Sequence, residues 1–387
     1  MVTFFPGARK AYYGVGASEK IGEEMAKLGC KKVLVVYDQG VKNAGIIEPI
    51  VSSLKNAGLA VEEFGKVMSD PPDYIIDEGG EFAREKKVDG FVGVGGGSSI
   101  DTAKGINVLM NNEPPINNWF APNPIPGPAL PLIAIPTTAG TGSEVTGGGV
   151  VTDTRNHVGF KAGVFQASPD LAIIDPVLYT GMPHAPSVCC AVDALTHCVD
   201  SLVSNAPDPI GGTFGAKGIS LIAKNLPKLE ANPKDVQIRG NLALSAYFGG
   251  TTMGGSNCHL THVVGHTIGT LCHIPHGAGC GLALPQLFRW YAKWLPEETK
   301  KVAEAWGISF DENISPEGLG NLMHDEMLKF FKLVKFPTFT DLKLTKEKAV
   351  ECAKHMPNDV CMMFSPKPGL GVKDFEGLMA EAFDEYC

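Results

Sequence analysis

Five of the chain's ten His residues lie between positions 259 and 276. They are His259, His262, His266, His273 and His276. An Asp and a further His precede them in the segment Val-Asp-Ala-Leu-Thr-His, residues 192–197. Imidazole is the commonest protein ligand of transition metals, and carboxylates complete many such sites. This concentration of donor groups predicts a metal centre.

The spacing of these donors fits two helical faces. Asp193 and His197 are four residues apart in a segment with helical periodicity, so both project from one face. His262 and His266 repeat the spacing, and His276 follows after a short loop. Three imidazoles and one carboxylate would give Fe(II) or Zn(II) four ligands and leave a position for a substrate oxygen. The spacing leaves open which of the clustered His residues bind the metal.

A glycine-rich loop is a candidate site for a diphosphate. The apolar run 88–94 leads into Gly95, Gly96, Gly97, Ser98 and Ser99, followed by a helical segment. Glycines allow close backbone approach to a ligand, and a helix N-terminus offers N–H groups to an anion. The spacing is not GxGxxG, so the common Rossmann fingerprint is absent. A tight strand-to-helix turn without a ligand is the alternative interpretation.

Two further features could bind other parts of a nucleotide. The loop at 136–146, Pro-Thr-Thr-Ala-Gly-Thr-Gly-Ser-Glu-Val-Thr, also follows an apolar run, and its hydroxyl groups could serve a ribose or an amide. Asp38 ends the first clear strand, where a carboxylate can accept hydrogen bonds from a ribose diol and repel a 2′-phosphate. The alternatives are a plain polar loop and a helix N-cap, respectively.

The elements that must position these residues change along the chain. Short apolar runs at 32–37, 60–64, 88–94, 130–135 and 172–174 alternate with helical segments in the first half. Such alternation predicts a parallel sheet with crossover helices. Helical periodicity dominates after about residue 182. We therefore expect a Rossmann-like α/β domain over residues 1–183 and an all-α, metal-binding domain over residues 184–387.

Composition narrows the possible functions. The 387 residues are 44% hydrophobic and 19% charged, which is typical of a globular protein. A net charge of -9 argues against a nucleic-acid surface. Ten Cys without CxxC spacing favour reduced thiols in a cytoplasm. The longest apolar run, around 130–135, is too short to span a membrane.

Taken together, four motifs resemble the iron-containing (group III) alcohol dehydrogenase family. They are Gly-Gly-Gly-Ser-Ser-Ile-Asp-Thr-Ala-Lys (95–104), Thr-Thr-Ala-Gly-Thr-Gly-Ser-Glu-Val-Thr (137–146), Val-Asp-Ala-Leu-Thr-His (192–197) and the block 262–277. Their order and the chain length make the resemblance specific. It implies a dehydroquinate synthase-like architecture, with NAD and Fe(2+) or another divalent metal as cofactors. The implied activity is hydride transfer between a small primary alcohol or diol and the nicotinamide.

The resemblance also implies roles for individual residues. The implied metal ligands are Asp193, His197, His262 and His276. His266 would not bind the metal but would lie near nicotinamide and substrate and relay a proton. The implied cofactor-binding residues are Asp38, Gly95, Gly96, Gly97, Ser98, Ser99, Asp101, Thr137, Thr138, Thr141, Thr146 and Lys161. Asp38 matches the position associated with NAD rather than NADP, and Asp70 stands where the family often has Asn.

Other interpretations stay open at this point. A lyase resembling 3-dehydroquinate synthase shares the fold and cofactors, but its phosphorylated substrate needs Lys and Arg, which are scarce around the His block. A glycerol dehydrogenase-like zinc enzyme and a non-catalytic metal or nucleotide sensor are further alternatives. The alcohol itself is left open. The resemblance implies a homodimer or larger homo-oligomer, and we expect the site in a cleft between the domains.

Overall fold

The computed structural model describes residues 5, 7–156, 160–165, 168–205 and 208–387. The chain divides into two compact units, an N-terminal unit that spans Ala8–Met182 and a C-terminal unit that contains Pro183–Cys387. The first unit has strands and helices, and the described residues of the second form helices and turns alone. The expected α/β and all-α regions are therefore both present.

The N-terminal unit is built on a six-stranded parallel sheet in the order β1-β8-β5-β4-β2-β3. The sheet strands are β1 (Ala11–Tyr13), β2 (Lys32–Tyr37), β3 (Ala60–Phe64), β4 (Gly90–Gly95), β5 (Leu132–Pro136) and β8 (Leu171–Ile174). A separate antiparallel hairpin consists of β6 (Gly148–Asp153) and β7 (Phe160–Phe165). The helices of this unit are α1 (Ile21–Lys27), α2 (Gln39–Asn43), α3 (Ile47–Asn56), α4 (Asp73–Lys86) and α5 (Gly97–Val108).

The central strand β2 is apolar on both faces because helices cover both. Leu34 and Val36 lie in one buried cluster together with residues of α4 and α5. Val33 and Val35 lie in the opposite cluster together with residues of α1 and α3. A strand buried on both sides has to be a continuous apolar run, which is why this segment is recognisable in the sequence.

The order of the strands places two predicted nucleotide features side by side. The chain passes from β2 to β3 on one side and then returns to add β4 on the other side of β2. Ligands of open α/β sheets bind at the carboxyl edge where the strand order reverses. Tyr37 at the end of β2 is in register with Val94 of β4, so Asp38 and Gly95 follow neighbouring strands at this edge.

The C-terminal unit packs its helices around the segment that contains Asp193. These helices are α6 (His184–Leu202), α7 (Pro209–Asn225), α8 (Val236–Ser256), α9 (Leu260–Cys272), α10 (His276–Leu282), α11 (Leu284–Trp294), α12 (Pro296–Trp306), α13 (Pro316–Val334), α14 (Lys346–Cys352) and α15 (Val372–Glu385). Short 3-10 turns at Met356–Asn358 and Val360–Phe364 lie between α14 and α15. Across the described residues, we find no helix with the length and apolar character needed to cross a bilayer.

Candidate functional site

The four implied metal ligands come from three helices of the C-terminal unit. Asp193 and His197 lie one turn apart on α6, His262 lies on α9, and His276 is the first residue of α10. The three imidazoles converge on Asp193 Oδ1. It lies 4.0 Å from His197 Nε2, 3.8 Å from His262 Nε2 and 3.5 Å from His276 Nε2.

These separations are too long for hydrogen bonds but suit the ligands of one cation. Metal–nitrogen and metal–oxygen bonds of about 2.0–2.2 Å put the ligands of a tetrahedral ion roughly 3.3–3.6 Å apart. The three observed distances from Asp193 Oδ1 lie within a few tenths of an ångström of this range, and the donor atoms of Asp193, His262 and His276 lie within 4.8 Å of one another. Cys280 also offers a sulfur within 4.8 Å of the donors of Asp193, His262 and His276.

Two of the converging atoms have no partner among the described residues. Asp193 Oδ1 and His262 Nε2 are buried and make no hydrogen bond. An unpaired buried polar atom costs about 1–3 kcal/mol, so native proteins seldom leave one without a reason. Two such atoms that face each other across less than 4 Å are explained if a cation lies between them.

The ionisation of the donors suits a cation as well. Burial alone would raise the pKa of Asp193, but the imidazoles of His197, His276 and His262 hold that pKa below its usual value. Burial lowers the pKa of His197. The site therefore presents an ionised carboxylate at Asp193 and, at His197, a neutral imidazole, which are the forms that bind metals. Burial opposes the charged form of His262, but Cys258 and Cys280 raise its pKa well above the usual value, so a bound cation would have to displace that proton.

A glycine allows α10 to reach α6. A Cβ atom on Gly277 would lie 2.3 Å from the backbone oxygen of Cys189 and 3.0 Å from Asp193 Cβ. A larger residue after His276 would therefore push the helices apart and move His276 from Asp193. In the Pro-His-Gly sequence at residues 275–277, the Gly is thus needed for helix packing and the His is a candidate metal ligand.

A buried carboxylate behind the ligands fixes the orientation of His262. Asp200 on α6 is fully buried and accepts the hydroxyl proton of Thr261 at 2.7 Å. Thr261 Oγ1 lies 3.0 Å from His262 Nδ1, so the ring nitrogen donates to it. In the neutral ring this leaves the lone pair of His262 on Nε2, on the side of Asp193. Such outer carboxylates orient metal-binding His residues, and no motif in the sequence indicated this role for Asp200.

The structure separates the remaining His residues of the cluster. His259 Nδ1 accepts the N–H of Leu260 at 2.8 Å, and its Nε2 lies 3.1 Å from the backbone oxygen of Asp200. Nδ1 of His259 thus caps α9, and Nε2 connects it to the backbone of α6. His273 is exposed and ends α9 with a φ of 56°. Neither belongs to the converging set.

His266 lies beside the four donors with a carboxylate behind it. Its Nδ1 is 3.1 Å from Asp359 Oδ2, and its ring stacks on that of His276 with centroids 5.6 Å apart. Of the four candidate ligands, His276 is the most exposed, with 36% of its side chain accessible. The accessible side of the centre is therefore the side of His276 and His266. Asp359 is a second residue that the sequence analysis did not identify.

Two loops of the N-terminal unit pack against each other: the glycine loop, residues 95–99, and the loop at residues 136–146, called the threonine loop below. A Cβ atom on Gly97 would lie 2.7 Å from Thr141 Cγ2, and one on Gly96 would lie 3.1 Å from Thr138 Oγ1. Gly95 has a φ of 142°, which disfavours other residues. Helix α5 begins at Gly97 without a side-chain cap hydrogen bond, so its first N–H groups are not used by a capping side chain and could bind an anion.

Asp38 has both a structural contact and a position at this edge. Its Oδ1 caps α2 by accepting the N–H of Val41 at 3.0 Å, and its Oδ2 accepts Ser99 Oγ–H at 3.1 Å. Asp38 is therefore the N-cap of α2, as the alternative interpretation expected, and its carboxylate also accepts a hydrogen bond from the glycine loop. Asp70 also reaches that loop, since its N–H lies 3.3 Å from Ser98 Oγ.

Asp101 and Thr146 belong to a buried network around Lys104. Lys104 Nζ lies 2.8 Å from Ser143 Oγ, 3.1 Å from Thr146 Oγ1 and 2.6 Å from the oxygen of Gly148. Asp101 accepts Ser143 Oγ–H at 2.5 Å and the N–H of Val150 at 2.9 Å. These bonds hold the threonine loop and the hairpin, and contacts of Asp101 and Thr146 with a cofactor stay a prediction.

The other predicted cofactor residues lie in or near these loops. Thr137 is 7% exposed and donates its backbone N–H to the oxygen of Gly95. Thr138 and Thr141 face the glycine loop. Lys161 is in strand β7, but its side chain lies outside the described part of the structure.

Comparisons with known proteins match both units. Residues 8–176 match the family described as iron-containing alcohol dehydrogenase. Residues 187–382 match the family described as the C-terminal part of Fe-containing alcohol dehydrogenases. The two matches together cover most of the chain.

Individual relatives are similar over most of their length. A choline dehydrogenase of Bacillus subtilis (strain 168) is 33% identical over 308 residues, which are 79% of this chain and 77% of the relative. An NAD-dependent methanol dehydrogenase of Bacillus methanolicus is 30% identical over 370 residues, which are 94% and 95% of the two chains. The crystal structure of a 1,3-propanediol oxidoreductase superposes with a TM-score of 0.93 and 27% identity, and it covers 99% of this chain and 100% of its own.

Proposed function

The chain belongs to the iron-containing alcohol dehydrogenase family, and from this premise we propose that it interconverts a small primary alcohol or diol and the corresponding aldehyde with NAD(H). The observation that carries the proposal is the convergence of three imidazoles and a carboxylate, with Asp193 Oδ1 and His262 Nε2 buried and unpaired. Relatives include enzymes named for methanol and 1,3-propanediol, which supports a small alcohol as substrate.

Asp193, His197, His262 and His276 would hold Fe(2+) in the C-terminal unit. The ion supplies Lewis acidity, which makes the hydroxyl proton of an alcohol easier to remove. The contribution of the protein is to hold the ligands in the binding form. Asp200 and Thr261 hold the ring of His262 with Nδ1–H directed at Thr261 and Nε2 on the side of Asp193, and burial lowers the pKa of His197.

His266 would carry the substrate proton away from the centre. Its Nδ1 donates to Asp359 at 3.1 Å, which leaves the lone pair on Nε2. An imidazole held in this tautomer can accept a proton on Nε2 while the carboxylate stabilises the cation that forms. His266→Gln should therefore slow turnover while bound iron stays unchanged. Unaltered kcat and pH profile in this variant would remove the relay role.

The N-terminal unit would bind the dinucleotide and the C-terminal unit would bind the metal, which are the roles expected from the sequence for residues 1–183 and 184–387. The diphosphate would contact the loop Gly95–Ser99 and the N-terminus of α5, where backbone N–H groups suit an anion. Asp38 would accept hydrogen bonds from the adenosine ribose diol, since its carboxylate lies next to that loop. A bound dinucleotide would supply the hydride acceptor, and the task of these loops would be to orient it.

The proposal is tested with purified protein whose metal content is known. The iron-loaded and metal-free forms are assayed for NADH formation from a panel of methanol, ethanol, 1,2-propanediol, 1,3-propanediol and 4-hydroxybutyrate. We expect activity that follows the iron content and prefers one of these alcohols. Equal activity of the metal-free form, or no activity of the iron form with any alcohol or aldehyde, would refute the proposal.

Two further expectations concern the state of the protein in the cell. We propose that the chain forms a homodimer or larger homo-oligomer in the cytoplasm, in line with the resemblance and with its reduced-thiol composition. Sedimentation velocity of the iron-loaded protein measures the first. A single species with the mass of one chain would contradict it.

A further inference from the structure

A second group of metal-binding side chains lies next to the candidate centre. His266 on α9, Asp359 at the start of the turn Val360–Phe364 and Cys361 within that turn each offer one donor atom. These three donor atoms lie within 4.8 Å of one another. None of the three belongs to the four implied iron ligands.

The distances within this group match a zinc site. His266 Nδ1 lies 3.1 Å from Asp359 Oδ2 and 3.9 Å from Cys361 Sγ. Zinc bonds of about 2.3 Å to sulfur and 2.0–2.2 Å to nitrogen or oxygen put tetrahedral ligands roughly 3.3–3.6 Å apart. Both distances from His266 Nδ1 lie within a few tenths of an ångström of this range, and the donor atoms of Asp359 and Cys361 are within 4.8 Å of each other, so one zinc ion could be shared by all three after small side-chain movements.

The surroundings hold the donors in place. Asp359 Oδ1 accepts the N–H of Cys361 at 2.8 Å, which fixes the carboxylate and leaves Oδ2 turned toward His266. Cys361 is 5% exposed, so bulk water would compete little with its sulfur for a metal ion. A second sulfur, that of Cys258, lies 4.0 Å from Cys361 Sγ. Sulfur and imidazole together select zinc or cadmium over harder cations such as Mg(2+).

We propose that His266, Asp359 and Cys361 form a second, inhibitory metal site that takes Zn(2+). The site goes beyond the proposed function, in which no cation is needed at this position. Binding would release the protons of His266 Nδ1 and the Cys361 thiol to solvent. It would also replace the hydrogen bond by which Asp359 orients His266. Zinc would therefore stop the relay while the iron remains bound.

The test measures metal content and activity of the same samples. The background is Cys387→Ser, because the exposed terminal thiol could bind zinc on the surface. The iron-loaded protein is incubated with ZnCl2, freed of loose metal by gel filtration and analysed by mass spectrometry for iron and zinc. We expect one iron and one zinc per chain, and a loss of NADH formation that follows the zinc content.

Cys361→Ser is the diagnostic variant because it removes the sulfur and keeps the size of the side chain. We expect this variant to retain its iron and its basal turnover. Its affinity for zinc should fall at least about tenfold, since loss of even an outer partner of a metal ligand has that effect. Asp359→Asn should also weaken zinc binding, and it provides a second test if Cys361→Ser does not fold.

Cys272→Ser is the matched control. Cys272 Sγ lies 3.5 Å from Cys352 Sγ, so this pair is another place where thiols could bind zinc. Zinc that is lost with Cys272→Ser but kept with Cys361→Ser would overturn the proposal. So would zinc that appears only as iron disappears, because zinc would then have replaced iron among the four ligands. Cd(2+) provides a direct readout, since its thiolate absorption in the near ultraviolet should be present in the parent and absent in Cys361→Ser.

The metal analysis separates this inference from the proposed function. One bound zinc that depends on Cys361 supports the site even if no alcohol is oxidised. Inhibition by zinc is the part that rests on the proposed activity. Zinc bound at Cys361 without any loss of activity would refute the inhibitory role alone.

Discussion

The candidate metal centre and the buried network around Lys104 satisfy their polar groups in different ways. In the N-terminal unit, Lys104 Nζ is surrounded by the oxygens of Ser143, Thr146 and Gly148. In the C-terminal unit, Asp193 Oδ1 and His262 Nε2 are buried without a partner. The threonine loop is thus held by the protein itself, whereas the metal centre needs a ligand to become complete. Substitutions in the two regions should therefore have different consequences.

The largest effect is expected for Asp193→Asn. Asp193 Oδ1 is the atom on which the three imidazoles converge, and the amide would remove its charge. We expect loss of bound iron and a fall in kcat/KM of more than about 100-fold, because even outer partners of metal ligands contribute about 10–100-fold. Metal analysis and steady-state kinetics measure both. Asp235→Asn, which keeps the N-cap of α8, is the control and should retain iron and activity.

Removal of the metal should separate the two regions in an unfolding experiment. Bound iron at 100 times its Kd contributes about 2.7 kcal/mol to the stability of the unit that binds it. We expect a chelator to lower the melting temperature of the C-terminal unit and to leave the N-terminal unit unchanged. Asp193→Asn should not respond to the chelator. A chelator effect of equal size in that variant would show that the ion binds elsewhere.

Asp200→Asn tests the carboxylate behind the ligands. The amide can present its nitrogen to Thr261, which would then no longer hold the N–H of His262 Nδ1 in the binding tautomer. We expect iron affinity to fall about 10–100-fold, with kcat restored when iron is in excess. Iron titrations against a competing chelator measure the affinity. An unchanged affinity would return Asp200 to a purely structural role.

The free energy of unfolding should depend on pH because of a buried carboxyl group in the N-terminal unit. Burial raises the pKa of Glu144 to about 7. The folded protein then binds a proton more tightly than the unfolded chain, whose Glu has its ordinary pKa near 4.5. This contribution to stability is present below the unfolded pKa and is lost as the pH rises through 7. Glu144→Gln should therefore raise the free energy of unfolding above pH 7, by at most about 3 kcal/mol.

The measurement is denaturant unfolding of the metal-free protein and of Glu144→Gln between pH 5 and 8. The difference between the two proteins should grow with pH. Glu85→Gln is a control at an exposed carboxylate of the same unit. A constant difference between Glu144→Gln and the parent across this range would contradict the expected titration.

The smallest effect is expected for Asp38→Asn. Asn retains an oxygen that can cap α2, so stability should change by no more than a few tenths of a kcal/mol. The loss of charge should lessen the repulsion of a 2′-phosphate and raise the kcat/KM with NADP relative to NAD. Kinetics with both cofactors measure the ratio. An unaltered ratio would show that Asp38 acts only as a cap.

Much of this arrangement could be predicted from local patterns in the sequence. The run Lys32–Tyr37 is apolar because helices cover both faces of β2, and the spacing of Asp193 and His197 follows from one helical turn. The fold class and the family, predicted in this way, are confirmed. The ligand set, by contrast, stays a prediction that the geometry supports.

The partners that orient the candidate ligands could not be predicted because they are distant in sequence. Thr261 is 61 residues from Asp200, and Asp359 is 93 residues from His266. No local period links such pairs, and only the packing of the helices brings them together. Strand β1 and the hairpin β6–β7 were not predicted either, because a three-residue edge strand and a glycine-rich strand carry little apolar pattern.

The distribution of the four donors over α6, α9 and α10 has a consequence for the maturation of the newly synthesised protein. Asp193 and His276 are far apart along the polypeptide, and they meet only after these helices have docked. In the unfolded polypeptide no short segment gathers all four groups, so the ion has little to hold before folding. Maturation should therefore follow a fixed sequence in which the polypeptide folds first and acquires iron afterwards. A supply of iron at a later time would then suffice to activate protein that was synthesised without it.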